Sequence, residues 1–483
     1  MGEKLTLFRP TFNRSIRIEA RPERLTTDPG AVLLREIMER LGIVSWLAKR
    51  ITDPRHPELV VHPTRKLLYT LILLCAQGWR DQADADLLRH DPALCLAAST
   101  RKGTSPLSSG GSRGGSQAGK PAGLPSQPTL SRLVGWLASE ENRRSLREAL
   151  VELASRRLRA QGRGRLRRLT LDVDSLPVEV HGAQPGSQYH GYYRARIYHP
   201  LVALAAETGD ILDVRLREGA VHTADGALAF ILELVDRVEG SLCEVAAVRL
   251  DAGFPDEELL SGLEVRGIPY VARIRNNPVL DRMAALHLKR PPGRPPHEPR
   301  TWFHETSYRA QGWSRPRRAV LVVQERPGEL FLHHFWLITN WRGEQLDAEA
   351  LLEHYRQRGT AEGYLGELMN VLRPALSSSP RPKGHYRGKE PRKRCPSGDA
   401  FAQNEVRLLV AVLAQGVLHV ARLLLEEATW RGWSLKRLRE RVLRVAARAV
   451  VHGRRVTLVV SRAAARWWRA LWGKFLALRP MVP

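Results

Sequence analysis

From Arg167 onward apolar residues recur with a period of two, and the first such run, LTLDVDS at 169–175, carries two aspartates. Side chains alternate across a strand, so Leu169, Leu171 and Val173 share one face while Thr170, Asp172 and Asp174 share the other. Two carboxylates roughly 7 Å apart at the backbone, on a strand bordering a core, cost stability unless a cation, hydrogen bonds or water compensate. The run therefore predicts a strand with a compensating group at its acidic face.

Further strands are expected at 196–205 and 211–217, joined to each other by the turn ETGD, and then at 245–250 and 269–274, with helices at 223–239 and 256–265. Three strands, a helix, a strand, a helix and a strand predict a mixed α/β core. Residues 282–340 break this order with a Pro-rich loop, LKRPPGRPPHEPR, and β-like runs such as RAVLVVQE and LFLHHFWLITNW, and are expected to form a β-rich insertion. Helix resumes over 346–372 and 404–428. A hairpin at ARAVVHGRRVTLVVS and a basic amphipathic helix with Trp467, Trp468 and Trp472 close the chain, the tryptophans fitting core or dimer contacts better than base-stacking platforms.

The N-terminal third has helical periodicity, interrupted by a Gly/Ser/Pro-rich tract at 102–128 that cannot build a core. The expected organisation is a helical region at 1–165, a core at 166–281 and 341–428 split by the insertion at 282–340, and a basic region at 429–483.

The chain has 76 Lys and Arg against 50 Asp and Glu, a formal charge of +26 over 483 residues. A surplus of that size favours a polyanionic partner, most often nucleic acid. Cys75, Cys95, Cys243 and Cys395 are far apart and form no C-x-x-C pair, which argues against a zinc finger or disulfide scaffold and for a reducing cytoplasm. The start, MGEKLTLFRP, lacks an apolar signal core, and its match to a myristoylation pattern is of a kind that short sequences meet by chance. The apolar run LLYTLILLCAQGW at 67–79 is too short to span a bilayer and reads as a buried helix.

Acidic residues stand at telling places: Asp172 and Asp174 on the first strand, Asp251 ending the fourth in VRLDAGF, and Glu362 in YRQRGTAE. Open α/β sheets collect their chemistry at the carboxyl ends of strands. Hard cations take oxygen ligands, and two of them held by carboxylates serve phosphoryl transfer. A single aspartate at a strand end is more often a helix cap or turn residue; three in compatible places make the chemical reading worth testing.

Tyr355, Arg358 and Glu362 spell Y-x-x-R-x-x-x-E, and with LDVDSLPVEVHGAQPGSQYHGYYRARIYHPLVALAAETGD, VRLDAGF, DLLRHDPAL and SQPTLSRL the chain resembles the DDE transposases of bacterial insertion sequences, group 1, of insertion-sequence-1380 type. The resemblance runs from about Asp86 to Leu425. It implies a ribonuclease H-like core with a β-rich insertion, two Mg²⁺ ions (Mn²⁺ substituting) held by Asp, Asp and Glu, and an endonuclease that cuts at the ends of its mobile element and joins them to target DNA. Carried across, the first acid falls on Asp172 or Asp174, with Asp172 favoured for its central place on the strand; the second falls on Asp251 and the third on Glu362.

Where the signature usually continues to a lysine this chain has Met369, which fits a buried apolar role, so the phosphate contact is expected at Arg373 or Lys383, or is lost. Arg358 is expected at a DNA phosphate, with Tyr355 in support. The stretch 381–394, with seven Lys or Arg, Lys383 and Arg387 among them, against Glu390 alone, suits nonspecific phosphate binding. DLLRHDPAL followed by PTLSRLVGWL fits either a helix-turn-helix, with Arg132 on the reading helix, or ordinary helical packing. PPGRPP around Arg294 fits a minor-groove arginine wedge less well than a plain basic loop. Resemblance further implies a homodimer on DNA and a nucleoid-associated cytoplasmic enzyme. The rival readings are a metal-dependent nuclease without strand transfer and a noncatalytic transposase-derived repressor.

Overall fold

The computed structural model describes residues 11–13, 15–16, 23–103, 105–107, 123–162, 166–182, 184–293, 297–378, 399–452, 455–478 and 480. Arg294, the middle of the Gly/Ser/Pro tract and the basic run with Lys383 and Arg387 lie outside them. The chain divides into two compact units: Met1–Met38, Arg55–Ser131 and Ala421–Ala477 form the first, and Glu39–Pro54, Arg132–Val420 and Leu478–Pro483 the second. The first unit thus draws on both ends of the chain, which sequence order alone treats as separate regions.

Within the first unit the expected hairpin forms from Ala447–His452 and Arg455–Val460, and Leu25–Thr26 adds a third antiparallel strand. The apolar helix begins at Thr64 as expected and runs to Gln77, where Gly78 at φ 92° ends it. A Cβ at Gly78 would lie 2.6 Å from the Arg439 guanidinium, so both backbone and space call for glycine. DLLRHDPAL folds into the short helices Asp84–Leu87 and Pro92–Ala98. Beyond the tract, the amide of Gln127 donates to Asp86 Oδ1 (3.0 Å) and Ser131 Oγ to Gln82 Oε1 (2.7 Å), tying the next helix's start to the residues before the tract. Trp467 packs edge-on against Trp433 and the Trp468 indole donates to the Val442 carbonyl, so both are packing residues; Trp472 is half exposed against Phe475.

The second unit is built on a mixed sheet. Its strands and those of a small satellite sheet are, in chain order, β1 (Arg168–Ser175), β2 (Val178–Glu179), β3 (Gln188–His190), β4 (Ala195–Tyr198), β5 (Leu201–Ala205), β6 (Ile211–Arg215), β7 (Glu244–Leu250), β8 (Tyr270–Ile274), β9 (Arg300–Tyr308), β10 (Arg317–Glu325) and β11 (His333–Thr339). The large sheet runs β9-β10-β11-β8-β7-β1-β5-β6, with β1, β7 and β8 parallel and the other pairs antiparallel. Three antiparallel strands followed by two parallel ones, with helices Ala227–Ser241 and Glu257–Val265 between them in sequence, give the mixed α/β core expected of a ribonuclease H-like fold. Leu169, Leu171 and Val173 of β1 pack with Leu201, Leu212, Phe230, Leu234 and Val248 in the main core.

Two differences from expectation have plain physical causes. The run 196–205 is two strands in two sheets, because Pro200 lacks an amide for the ladder; β4 pairs with β2 and β3, while β5 enters the large sheet. The insertion is β-rich as expected, but it extends the core sheet through β11 on β8. Its outer strand β9, unanticipated, is a half-exposed edge with weak apolar alternation.

Among the described residues one helix, Ala400–Thr429, is long and apolar enough to cross a membrane, and most of its apolar stretch is buried in the protein. Its buried Glu405 accepts from Arg143 and from Arg147 Nη2 (2.5 Å) on the helix Glu140–Ala160, so the one carboxylate is matched by two arginines, as suits a core helix.

Candidate active site

The acidic face of β1 meets β7 in parallel register, Asp172 opposite Arg249 and Val173 opposite Leu250. Continuing that register by one residue sets Asp174 beside Asp251, at the carboxyl ends of two strands roughly 4.8 Å apart. Because residues i and i+2 share a face, Asp172, Asp174, Arg249 and Asp251 form two rungs on one side of the sheet.

The inner rung is a closed ion pair. Arg249 is 1% exposed and Asp172 2%. Nε and Nη2 of Arg249 donate to Oδ1 and Oδ2 of Asp172 at 2.5 and 2.7 Å, a two-point contact that occupies both carboxylate oxygens. The remaining nitrogen, Nη1, donates to the His354 carbonyl (2.7 Å) and to Gln357 Oε1 (3.3 Å). His354 lies in the last turn of the helix Ala348–Arg356, where backbone carbonyls have no partner within the helix. Arg249 thereby fastens that helix end to the two strands.

The outer rung is an acidic cluster with one arginine. Asp174 accepts from Arg358 Nη2 (2.7 Å) and from the Ser175 amide (2.8 Å), and Arg358 Nη1 reaches Glu362 Oε1 at 3.2 Å. Burial raises the Asp174 carboxyl above its ordinary value against the pull of Arg358, and the charges of Asp251 and Glu362 add to the rise. Burial disfavours charge on Arg358 too, but Asp174, Asp251, Tyr355 and Glu362 outweigh it and hold the guanidinium firmly protonated. The Tyr355 hydroxyl is raised by burial, and its ring packs beside Val271, Leu337 and Leu351.

The helix expected over 346–372 is broken here. Asp347 caps its start by accepting from the Ala350 amide (2.8 Å); a first piece ends at Arg356, a second spans Gly359–Glu367, and a wider turn spans Leu368–Leu372. Gly359, Gly363 and Gly366 weaken the continuous helix. The break at Gln357–Arg358 aims Gln357 at the inner rung and Arg358 at the outer one.

The structure thus brings together Asp174, Asp251, Glu362, Arg358 and Tyr355, and holds Asp172 apart in its pair with Arg249. Met369 is half-buried in the wider turn, Arg373 is exposed at φ 45°, and Arg132 is exposed on the helix Gln127–Leu137. Arg249 escaped the sequence reading; its signal was a cation two residues before Asp251, on the same face as the carboxylates.

Among the described residues no three acidic, histidine or cysteine side chains converge closely enough to hold a metal ion. Glu362 is largely exposed, and Arg358 stands between it and Asp174. The donor set itself, carboxylate oxygens around a half-buried acid raised by its surroundings, has the chemistry that a hard divalent cation takes.

Fold and site together define a mixed α/β protein with an acid cluster at the carboxyl ends of its parallel strands. The family model for the transposase DDE domain, group 1, matches residues 8–380; the chain belongs to that family and is a DNA transposase, an enzyme of the DDE type. Membership implies DNA as partner and the use of divalent metal ions. Among solved structures, the cryo-EM structure of the piggyBac transposase synaptic complex with hairpin DNA is similar at 13% identity and TM-score 0.40, over 95% of this chain and 87% of that one. No curated protein matches the chain.

Proposed function

We propose that Asp174, Asp251 and Glu362 are the three catalytic carboxylates, and that Asp174 takes the place that the sequence reading gave to Asp172. The observation that carries this is the closed inner rung: both oxygens of Asp172 are spent on Arg249, whereas Asp174 shares its charge field with Asp251 and Glu362. These three would hold Mg²⁺, or Mn²⁺ in its place. When bound, the cations would supply charge stabilisation for phosphodiester hydrolysis at the element ends and for strand transfer into target DNA.

Around them the chain's own residues bind and orient. Arg358 and Tyr355 would meet a DNA phosphate beside the acids, and Arg358 would have to give up part of its hold on Asp174 and Glu362 to do so. Arg132, Arg373, Lys383 and Arg387 would contact phosphates along the DNA. The enzyme would work as a homodimer on two element ends, in the cytoplasm on nucleoid DNA.

The test is incubation of purified protein with a supercoiled donor plasmid carrying the element and with a target plasmid, in Mg²⁺ or EDTA, beside the Asp251→Ala protein. Metal-dependent excision and joined product, both lost in the variant, are expected. Cut DNA without joined product would reduce the reading to a nuclease; binding without any nick would reduce it to a repressor; excision by the variant would sink the assignment.

A further inference from the structure

The hairpin β3–β4 closes through the four residues Gly191, Tyr192, Tyr193 and Arg194, with His190 opposite Ala195 and Tyr189 opposite Arg196. Its tip is aromatic and bare: Tyr192 is 85% exposed, Tyr189 65% and Tyr193 40%. The rings are ordered among themselves. Tyr192 stands perpendicular to Tyr193 at 5.0 Å, and Tyr193 leans on His190 at 4.9 Å. Arg194 is exposed beside them and takes the left-handed backbone, φ 53°, that closes the loop. A turn needs no such rings, and Tyr192 and Tyr193, packed on each other with Tyr189 exposed nearby in β3, form an exposed aromatic patch that calls for a partner.

The patch lies by the outer rung. The small sheet leaves β1 at Ser175 and returns to it at Leu201, which pairs with Ser175, so the hairpin hangs from the strand end that carries Asp174. Partial burial raises the Tyr193 hydroxyl, and the neighbouring Tyr192 and then the charges of Asp174 and Asp251 add to the rise. A phosphodiester seated at the outer rung would bring its neighbouring bases to these rings, with Arg194 at hand for the backbone. Every base has a π-face, so such a surface takes bases irrespective of sequence.

We infer that Tyr192 and Tyr193, at the tip of the β3–β4 hairpin, form a stacking platform for an unpaired nucleobase next to the phosphodiester processed at Asp174 and Asp251. The inference rests on the assignment of those acids as the catalytic centre.

The probe is a DNA duplex with a short single-stranded overhang carrying 2-aminopurine, and the same duplex made blunt, both titrated in EDTA so that no cleavage occurs. Wild-type protein is expected to quench the aminopurine. Tyr192→Ala with Tyr193→Ala should abolish the quench and weaken overhang binding roughly 5- to 100-fold, with blunt-duplex binding unchanged. The Phe pair should keep both signals, because the ring and not the hydroxyl does the stacking. Unquenched wild type, or Ala variants that still quench, would overturn the platform. A change of oligomeric state on size-exclusion chromatography with DNA signals unchanged would also overturn it, making the tip a contact between copies of this chain. Cleavage by Asp251→Ala, measured separately in Mg²⁺, would remove the catalytic assignment without touching the stacking result.

Discussion

The two rungs of the β1–β7 pair have nearly the same backbone and opposite chemistry. In the inner rung one acid faces one arginine, both are out of water, and every oxygen of Asp172 is answered. In the outer rung two acids stand side by side, with a third reaching in from the helix, and one arginine divides its hydrogen bonds between Asp174 and Glu362. A fully paired buried ion pair holds geometry and offers nothing to a ligand. A surplus of carboxylates is costly by itself and rewards a cation. Under the proposed assignment the inner rung is scaffold and the outer rung carries the chemistry.

The largest contrast should come from Asp174→Asn. It is expected to lower single-turnover cleavage of the donor plasmid by at least roughly a thousand-fold, while Tm stays level or rises, since one of several crowded like charges is gone. A marked fall in Tm with cleavage intact would invert the roles of the two rungs.

Breaking the inner rung should act on stability first. Arg249→Leu strands the Asp172 charge in the core and should cost about 3–5 kcal/mol, read by denaturant unfolding; adding Asp172→Leu should return most of it. Unchanged unfolding in the single variant would show that the pair bears no structural weight.

The smallest effect sharpens the outer rung. Arg358→Ala should reduce the slope of log affinity against log salt for DNA by about 1, as loss of one phosphate contact does. An unchanged slope would confine Arg358 to holding the acids apart.

Much of this was readable in the residues. Period-two alternation placed β1, β6, β7 and β8, and the Y-x-x-R-x-x-x-E spacing pointed to Arg358 and Glu362. The same alternation could not separate Asp172 from Asp174, because it puts both on one face. The helix carrying the third acid was expected whole, and its break at Gln357–Arg358 depends on where two arginines must reach. Pro200 was visible in the run 196–205, yet its power to divide one strand between two sheets follows from which partners lie on each side.

The sequence by itself determined the family, the α/β character, the strongly basic balance and the positions of the candidate acids, because these depend on local period, residue type and spacing. The tertiary structure alone decided how the two aspartates are partnered. The parallel register of β1 on β7 sets Arg249 opposite Asp172 and leaves Asp174 to Asp251. Pairing of charges 77 residues apart is a property of register, and register is settled only when the strands meet.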